Sequence, residues 1–303
     1  MRQIRTDLAM ESARAQAGGE LPGVNVSTWD EAGIRITEVS IDTDEGARLL
    51  EKPIGKYITL ECAGLRERSL EAREASAALL GEELARLLPD GDGPVLVIGL
   101  GNRMVTPDAI GPKTVDSTLV TRHLYEACPA AVDERMSPVC AIAPGVLGIT
   151  GVETQEVVRG VVDHVQPRAA IVVDALAAQS SARIGTTIQL TNGGIHPGSG
   201  VGNQRKALCH DTLGVPVVAL GVPTVIYASS LVRDALCELT DECSEEAVSR
   251  LEGELRTGAL GEMIVTPREV DGMVAEVAKV LANGINRALH PGLSEREIRT
   301  MMD

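Results

Sequence analysis

Two aspartates stand where this chain can do chemistry. Asp108 lies in GLGNRMVTPDAIGP (99–112) and Asp174 in VVDALAAQS (172–180). A third polar stretch, TNGGIHPGSGVGNQR (191–205), is a Gly-rich loop long enough to line or cover a cleft. From these clusters Asn102, His196, Gly198, Ser199, Gly200 and Asn203 are the candidate cleft-lining residues. Two carboxyls in close contact cannot both ionise easily, so one keeps a proton. The ionised partner can then activate water while the protonated one donates to a scissile carbonyl.

Each residue also has a structural reading. Asp108, after Thr-Pro, has the setting of a helix cap. Asp174 closes an apolar strand, where a carboxylate is costly unless paired, hydrogen-bonded or functional. Gly99-Leu100-Gly101 suggests a dinucleotide loop, but Met104 stands where that fingerprint needs its third glycine, and Pro107 interrupts the helix start. No cofactor is expected. A metal held by Asp108, Asp174 and His196 is an open alternative, since carboxylates and imidazole suit several divalent ions. Cys140 with His123 or His164 lacks a thiol-protease signature, Ser199 lies in Gly-Ser-Gly rather than Gly-x-Ser-x-Gly, and no His-Glu-x-x-His occurs.

The elements that must position these residues follow from patterning. Val95–Leu100, Ala170–Val173 and Val217–Leu220 are continuous apolar runs, as in parallel strands covered on both faces. Ile34–Ile41 (IRITEVSI) alternates as a half-buried strand, with KYITLE around Ile58 as its partner. Helical spacing covers Ser69–Leu88, with Ser69 as cap, and also Val115–Cys128, Thr154–Val165, Ser229–Leu239, Glu245–Arg256 and Arg268–Ala288. The first two dozen residues read as a flexible or docked arm. The sum is an α/β fold with an open, wound, mostly parallel sheet flanked by helices, its function gathered at the strands' carboxyl ends.

Composition excludes some partners. A net charge of −15 gives no basic surface for phosphates, and one Trp, three Tyr and no Phe leave little to stack on bases. Direct nucleic-acid binding is therefore not expected. No apolar run reaches membrane-spanning length, the opening MRQIRTDLAMESARAQ is charged throughout, and the six cysteines are scattered. Free thiols in a cytoplasmic-type compartment are the expectation.

The segments RTDLAMES, KPIGKYITLE, GLGN with VTPDAIGPKTV, VTRHL, APGVLGITGVET, VVDALAA, GIHPGSGVGNQR, LGVPVVALGVPTV, VTPREVD and ANGINRALHP resemble the spore germination proteases of endospore-forming bacteria, in order and over nearly the whole chain. The resemblance implies an endopeptidase that degrades small acid-soluble spore proteins in the spore core, made as an inactive precursor and assembled as a homotetramer. It implies a sheet akin to that of the hydrogenase maturation proteases, with Asp108 and Asp174 as catalytic residues. Substrates of the family are cut in a segment like Thr-Glu–Phe-Ala-Ser-Glu, and Thr6-Asp7-Leu8-Ala9-Met10-Glu11 has the same pattern. Self-cleavage between Asp7 and Leu8 is thus expected, giving a short propeptide (1–7) and a single protease domain (8–303). A metal-dependent peptidase and a non-catalytic spore-protein-binding protein are the competing readings. The chain departs from the family at Asn192-Gly193-Gly194, where an Asp-Thr-Gly type sequence is usual, at Tyr227, where an Asp is expected, and at Arg103, a position often aromatic.

Overall fold

The computed structural model describes residues 6–16, 21–198, 205–239, 261 and 263–302. The elements in chain order are α1 (Ala9–Ala15), β1 (Val24–Glu31), β2 (Ile34–Ile41), α2 (Asp44–Leu50), β3 (Gly55–Glu61), α3 (Leu70–Leu87) and β4 (Val95–Gly99). Then come α4 (Ile110–Asp116), α5 (Arg122–Ala127), β5 (Val139–Ile142), α6 (Leu147–Thr150), α7 (Thr154–Val165), β6 (Ala169–Ala178) and β7 (Thr187–Thr191). The chain continues through α8 (His210–Leu213), β8 (Val217–Tyr227), α9 (Ala228–Leu239), β9 (Ile264–Val265), α10 (Val270–Leu289) and α11 (Glu295–Met302). The expected helix over Glu245–Arg256 lies outside the described residues. No helix among the described residues is long and apolar enough to cross a membrane.

The strands form one sheet in the order β1-β2-β3-β7-β8-β6-β4-β5, with β9 pairing β8. The sheet is mixed, which corrects the expectation of a mostly parallel one. The pairs β4–β5, β4–β6 and β6–β8 are parallel. The pairs β1–β2, β2–β3, β3–β7, β7–β8 and β8–β9 are antiparallel. The parallel strands are the continuous apolar runs, buried on both faces. The antiparallel half includes β7, TIQLT, whose two faces differ in polarity and which carries no apolar run to announce it.

Alternation sorts the side chains onto two faces. One face packs Ile58, Leu60, Val97, Ile171, Val173, Ile188, Leu190, Val218 and Leu220 against α3 and α10 through Leu80, Leu84, Val277, Leu281 and Ile285. On the other face Ala170, Val172 and Val217 meet Val158 and Val162 of α7. Farther along that face, Leu176 and Ala178 meet Leu8, Ala9, Met10 and Ala13 of the arm. The arm is therefore docked, and α1 closes part of the core.

The expected Val115–Cys128 helix is two helices with a break at 117–121. The cause is tertiary. Buried Asn286 of α10 accepts the Leu119 N–H at 2.9 Å and donates to the Ser117 carbonyl at 3.3 Å. These bonds satisfy backbone groups that the interrupted helix leaves open. Asn286→Ala orphans a buried N–H, which costs ~1–3 kcal/mol. Calorimetry should show a Tm lower by about 2–5 °C for a chain of this size; an unchanged Tm refutes the role.

Candidate active site

Asp174 is on β6 at the point where its face changes hands. Ala170 and Val172 precede it in the α7 cluster, and Leu176 and Ala178 follow it in the arm cluster. The carboxyl is 5% exposed and accepts only the Ala175 N–H among the bonds seen, at 2.9 Å. Burial drives its pKa well above the ordinary carboxyl range, and the charges of Asp108 and Asp7 push it the same way. The Ala175 N–H opposes this rise. The surroundings of Asp174 thus favour the protonated form.

Asp108 reaches the same place from the loop after β4. Its carboxylate accepts the Asn102 N–H at 2.6 Å, and its own N–H bonds the Val105 carbonyl at 2.8 Å. Gly101 permits this turn: its φ is +113°, and a Cβ there would sit 1.9 Å from the Asp108 carbonyl oxygen. Burial raises the Asp108 pKa, opposed by the Asn102 N–H and the charge of Arg205. The two carboxyls therefore differ. One is buried with its pKa driven well up; the other is half-buried, and an N–H and a cation oppose its rise.

Asp108 and Asp174 line one cavity of about 340 Å³ together with Asp7, Gly198 and Arg205. A larger, more polar cleft of about 1140 Å³ adjoins it, lined among others by Asp174, Asp7, Lys52, His196 and Gln189. Gly198 and His196 are thus at the cleft. Asn102 lines neither space: its N–H holds Asp108, and its side chain accepts the Met104 N–H at 3.0 Å. Ser199, Gly200 and Asn203 lie outside the described residues. Among the described residues no group of three or more His, Cys, Asp or Glu is arranged to hold a metal. Cys140 sits on β5, and burial raises its thiol pKa, opposite to what a nucleophile needs.

The arm lines the cleft through Thr6, Asp7 and Ser12. The Asp7 N–H donates to the Ala177 carbonyl at 3.1 Å, and the Ala177 N–H donates to the Asp7 carboxylate at 2.9 Å. Gln189 of β7 spans the next bond: its Nε2 donates to the Asp7 carbonyl at 3.1 Å, and its Oε1 accepts the Ala9 N–H at 2.7 Å. Leu8 is extended, fully buried, and donates its N–H to Thr6 Oγ1 at 3.1 Å. Gln189 was not legible as a site residue. It matters because Gln189 pairs with Gly221 and Gly221 with Asp174, so the three share one row across the sheet. Of the family departures, Asn192 accepts the Lys56 N–H at 2.8 Å, and Arg103 pairs with Asp116 at 3.0 Å.

The sequence model of the germination protease family matches residues 3–249 and 237–301. A germination protease of Caldanaerobacter subterraneus subsp. tengcongensis is 43% identical over 320 residues, covering 99% of this chain and 98% of the relative. Those of Clostridium tetani (38%, covering 99% of each) and Bacillus subtilis (39%, covering 96% of this chain and 95% of the relative) are similar throughout.

The raised Asp174 pKa fixes a sign. Above the ordinary value of 3.8 the unfolded chain loses a proton that the folded chain keeps, so stability falls as pH rises through the folded pKa. Asp174→Asn retains an acceptor for Ala175 N–H and removes the titration. Its Tm at about pH 7–8 should exceed that of wild type, with the difference shrinking toward about pH 4. A variant less stable than wild type at neutral pH contradicts the assignment.

Proposed function

The chain belongs to the germination protease family and is on that account a peptidase, and we propose that it is an endopeptidase which first cuts itself between Asp7 and Leu8 and then degrades small acid-soluble spore proteins with Asp108 and Asp174. One observation carries this reading: Asp7 lines the same cavity as both aspartates, and the chain on either side of the Asp7–Leu8 bond is held by hydrogen bonds with Ala177 and Gln189, with Leu8 extended. A peptide held across a sheet edge by backbone bonds is the ordinary posture of a protease substrate.

The chemistry follows from the two environments. Asp108 takes a proton from water as its oxygen attacks the Asp7 carbonyl carbon. Asp174 gives its proton to the carbonyl oxygen, towards which Gln189 Nε2 already points a hydrogen bond. The tetrahedral intermediate collapses with the Asp7–Leu8 C–N bond breaking. The proton gathered by Asp108 passes to the leaving Leu8 nitrogen, and the hydroxyl proton of the intermediate returns to Asp174. The pair ends as it began, and its titration belongs to both carboxyls together.

The test is self-processing, followed by mass spectrometry, and cleavage of a small acid-soluble spore protein, each with and without chelator. Asp108→Asn and Asp174→Asn should each lose about 10²–10⁴-fold in rate while folded. Gln189→Leu should lose ~10²–10³-fold in kcat. An intact amino terminus after full activation removes the Asp7–Leu8 assignment. Activity abolished by chelator and restored by an added ion makes the aspartates ligands instead, with His196 the next residue to change.

A further inference from the structure

Four residues beyond the Asp7–Leu8 bond, Glu11 is buried at 3% exposure although it carries a charge-bearing side chain. A buried carboxylate is costly unless its lone pairs are met, and here they are met on both oxygens. Oε2 accepts the Gln179 N–H at 2.8 Å and the Thr6 hydroxyl. Oε1 accepts the Ser180 N–H at 3.1 Å and the Arg183 guanidinium at 2.6 Å. Three of these four donors come from one loop, 179–183, between β6 and β7.

That loop is held in place without help from the arm. Ser181 donates from its N–H and its hydroxyl to Asp234 of α9, at 2.7 and 2.9 Å. Arg233 donates to the Gln179 carbonyl at 2.7 Å, and Arg66 to the Ser181 carbonyl at 3.0 Å. Arg183 Nε is fixed by Glu61 of β3 at 3.2 Å, which leaves its Nη1 aimed at the Glu11 site. Two N–H groups and a guanidinium held this way form a receptor for a carboxylate. It would disfavour a neutral amide by the strength of two charge-assisted bonds, and a Lys or Arg by repulsion from Arg183.

We propose that Arg183 with the Gln179 and Ser180 N–H groups forms a carboxylate-binding subsite that selects peptides bearing an acidic side chain four residues beyond the cleaved bond. Glu11 is its resident occupant in the unprocessed chain. The proposal rests on the reading above that Asp7–Leu8 is the cleaved bond, and it assigns the acid-recognising part of that same site. Occupancy by the chain's own Glu11 also excludes any other acidic peptide until the arm leaves.

Two measurements test it. The first does not depend on catalysis. In an Asp108→Asn background, trypsin cleavage after exposed Arg14 requires the arm to lift, so its rate reports docking. Glu11→Gln and Arg183→Gln should each raise that rate about tenfold or more, and together no more than either alone, because both remove one interaction. The second uses the processed enzyme and peptides TDLAMESAR and TDLAMQSAR. The glutamate peptide should be preferred by about tenfold in kcat/KM, carried by KM, with the preference lost in Arg183→Gln. Unchanged nicking in both variants, or equal cleavage of the two peptides by wild type, overturns the subsite. Nicking that responds as stated while no peptide is cut at Asp-Leu keeps the subsite and removes the assigned cleavage bond.

Discussion

A carboxyl group buried between two apolar clusters governs much of what surrounds it. Asp174 interrupts the inward-facing series Ala170, Val172, Leu176 and Ala178, and among the described residues no basic side chain is bonded to it. In such a place the charged form is penalised and the neutral acid is favoured. The neighbouring backbone is shaped to bring a second, better-solvated carboxylate up to it. Gly101 turns the chain at a φ of +113° so that the Asn102 N–H can hold Asp108. Gly221, beside Asp174 in the sheet, puts no side chain into the row that leads to Gln189. The unequal pair is a consequence of where each acid is seated.

The arm is the second consequence. Its hold is both apolar and polar. Leu8 and Met10 are fully buried, and each such side chain contributes about 1.5–3 kcal/mol relative to exposure. The polar contacts fix register: Gln189 grips the backbone on both sides of Leu8, and Glu11 is seated in the loop after β6. Apolar burial alone tolerates sliding, whereas two backbone bonds and a buried carboxylate do not. The result is that Asp7, alone among the described arm residues, lines the cavity with the two aspartates.

What was legible in the sequence had a local cause. Asp108 and Asp174 stand out because each follows an apolar run, and Ser69 announces α3 because its hydroxyl accepts the Ala72 N–H, a bond three residues long. Tertiary causes left no such trace. The break in the expected Val115–Cys128 helix depends on Asn286, 167 residues from Leu119. Gln189 sits in a five-residue strand whose pattern is too short to separate from a loop. Arg183 lies 172 residues from the glutamate it binds. Counting apolar runs also favoured the parallel strands, because only those are covered on both faces, so the antiparallel half of the sheet was underweighted.

That mixed sheet divides the labour. The parallel strands β4 and β6 present the acids at their carboxyl ends, where open α/β sheets gather chemistry. The antiparallel strands β3 and β7 bring Glu61 and Gln189, and the loop before β7 brings Arg183; Gln189 and Arg183 bond the arm, and Glu61 holds Arg183. The two halves meet where β7 pairs with β8 and β8 with β6, in the row Gln189–Gly221–Asp174. Because β7, beyond β8 in the sheet, runs antiparallel to β6, the link 179–186 can be shorter than the dozen or so residues a parallel strand would require. That link brings Gln189 into one row with Asp174, and the glycine between them leaves room for the Leu176 side chain, which a Cβ at Gly221 would meet at 2.4 Å.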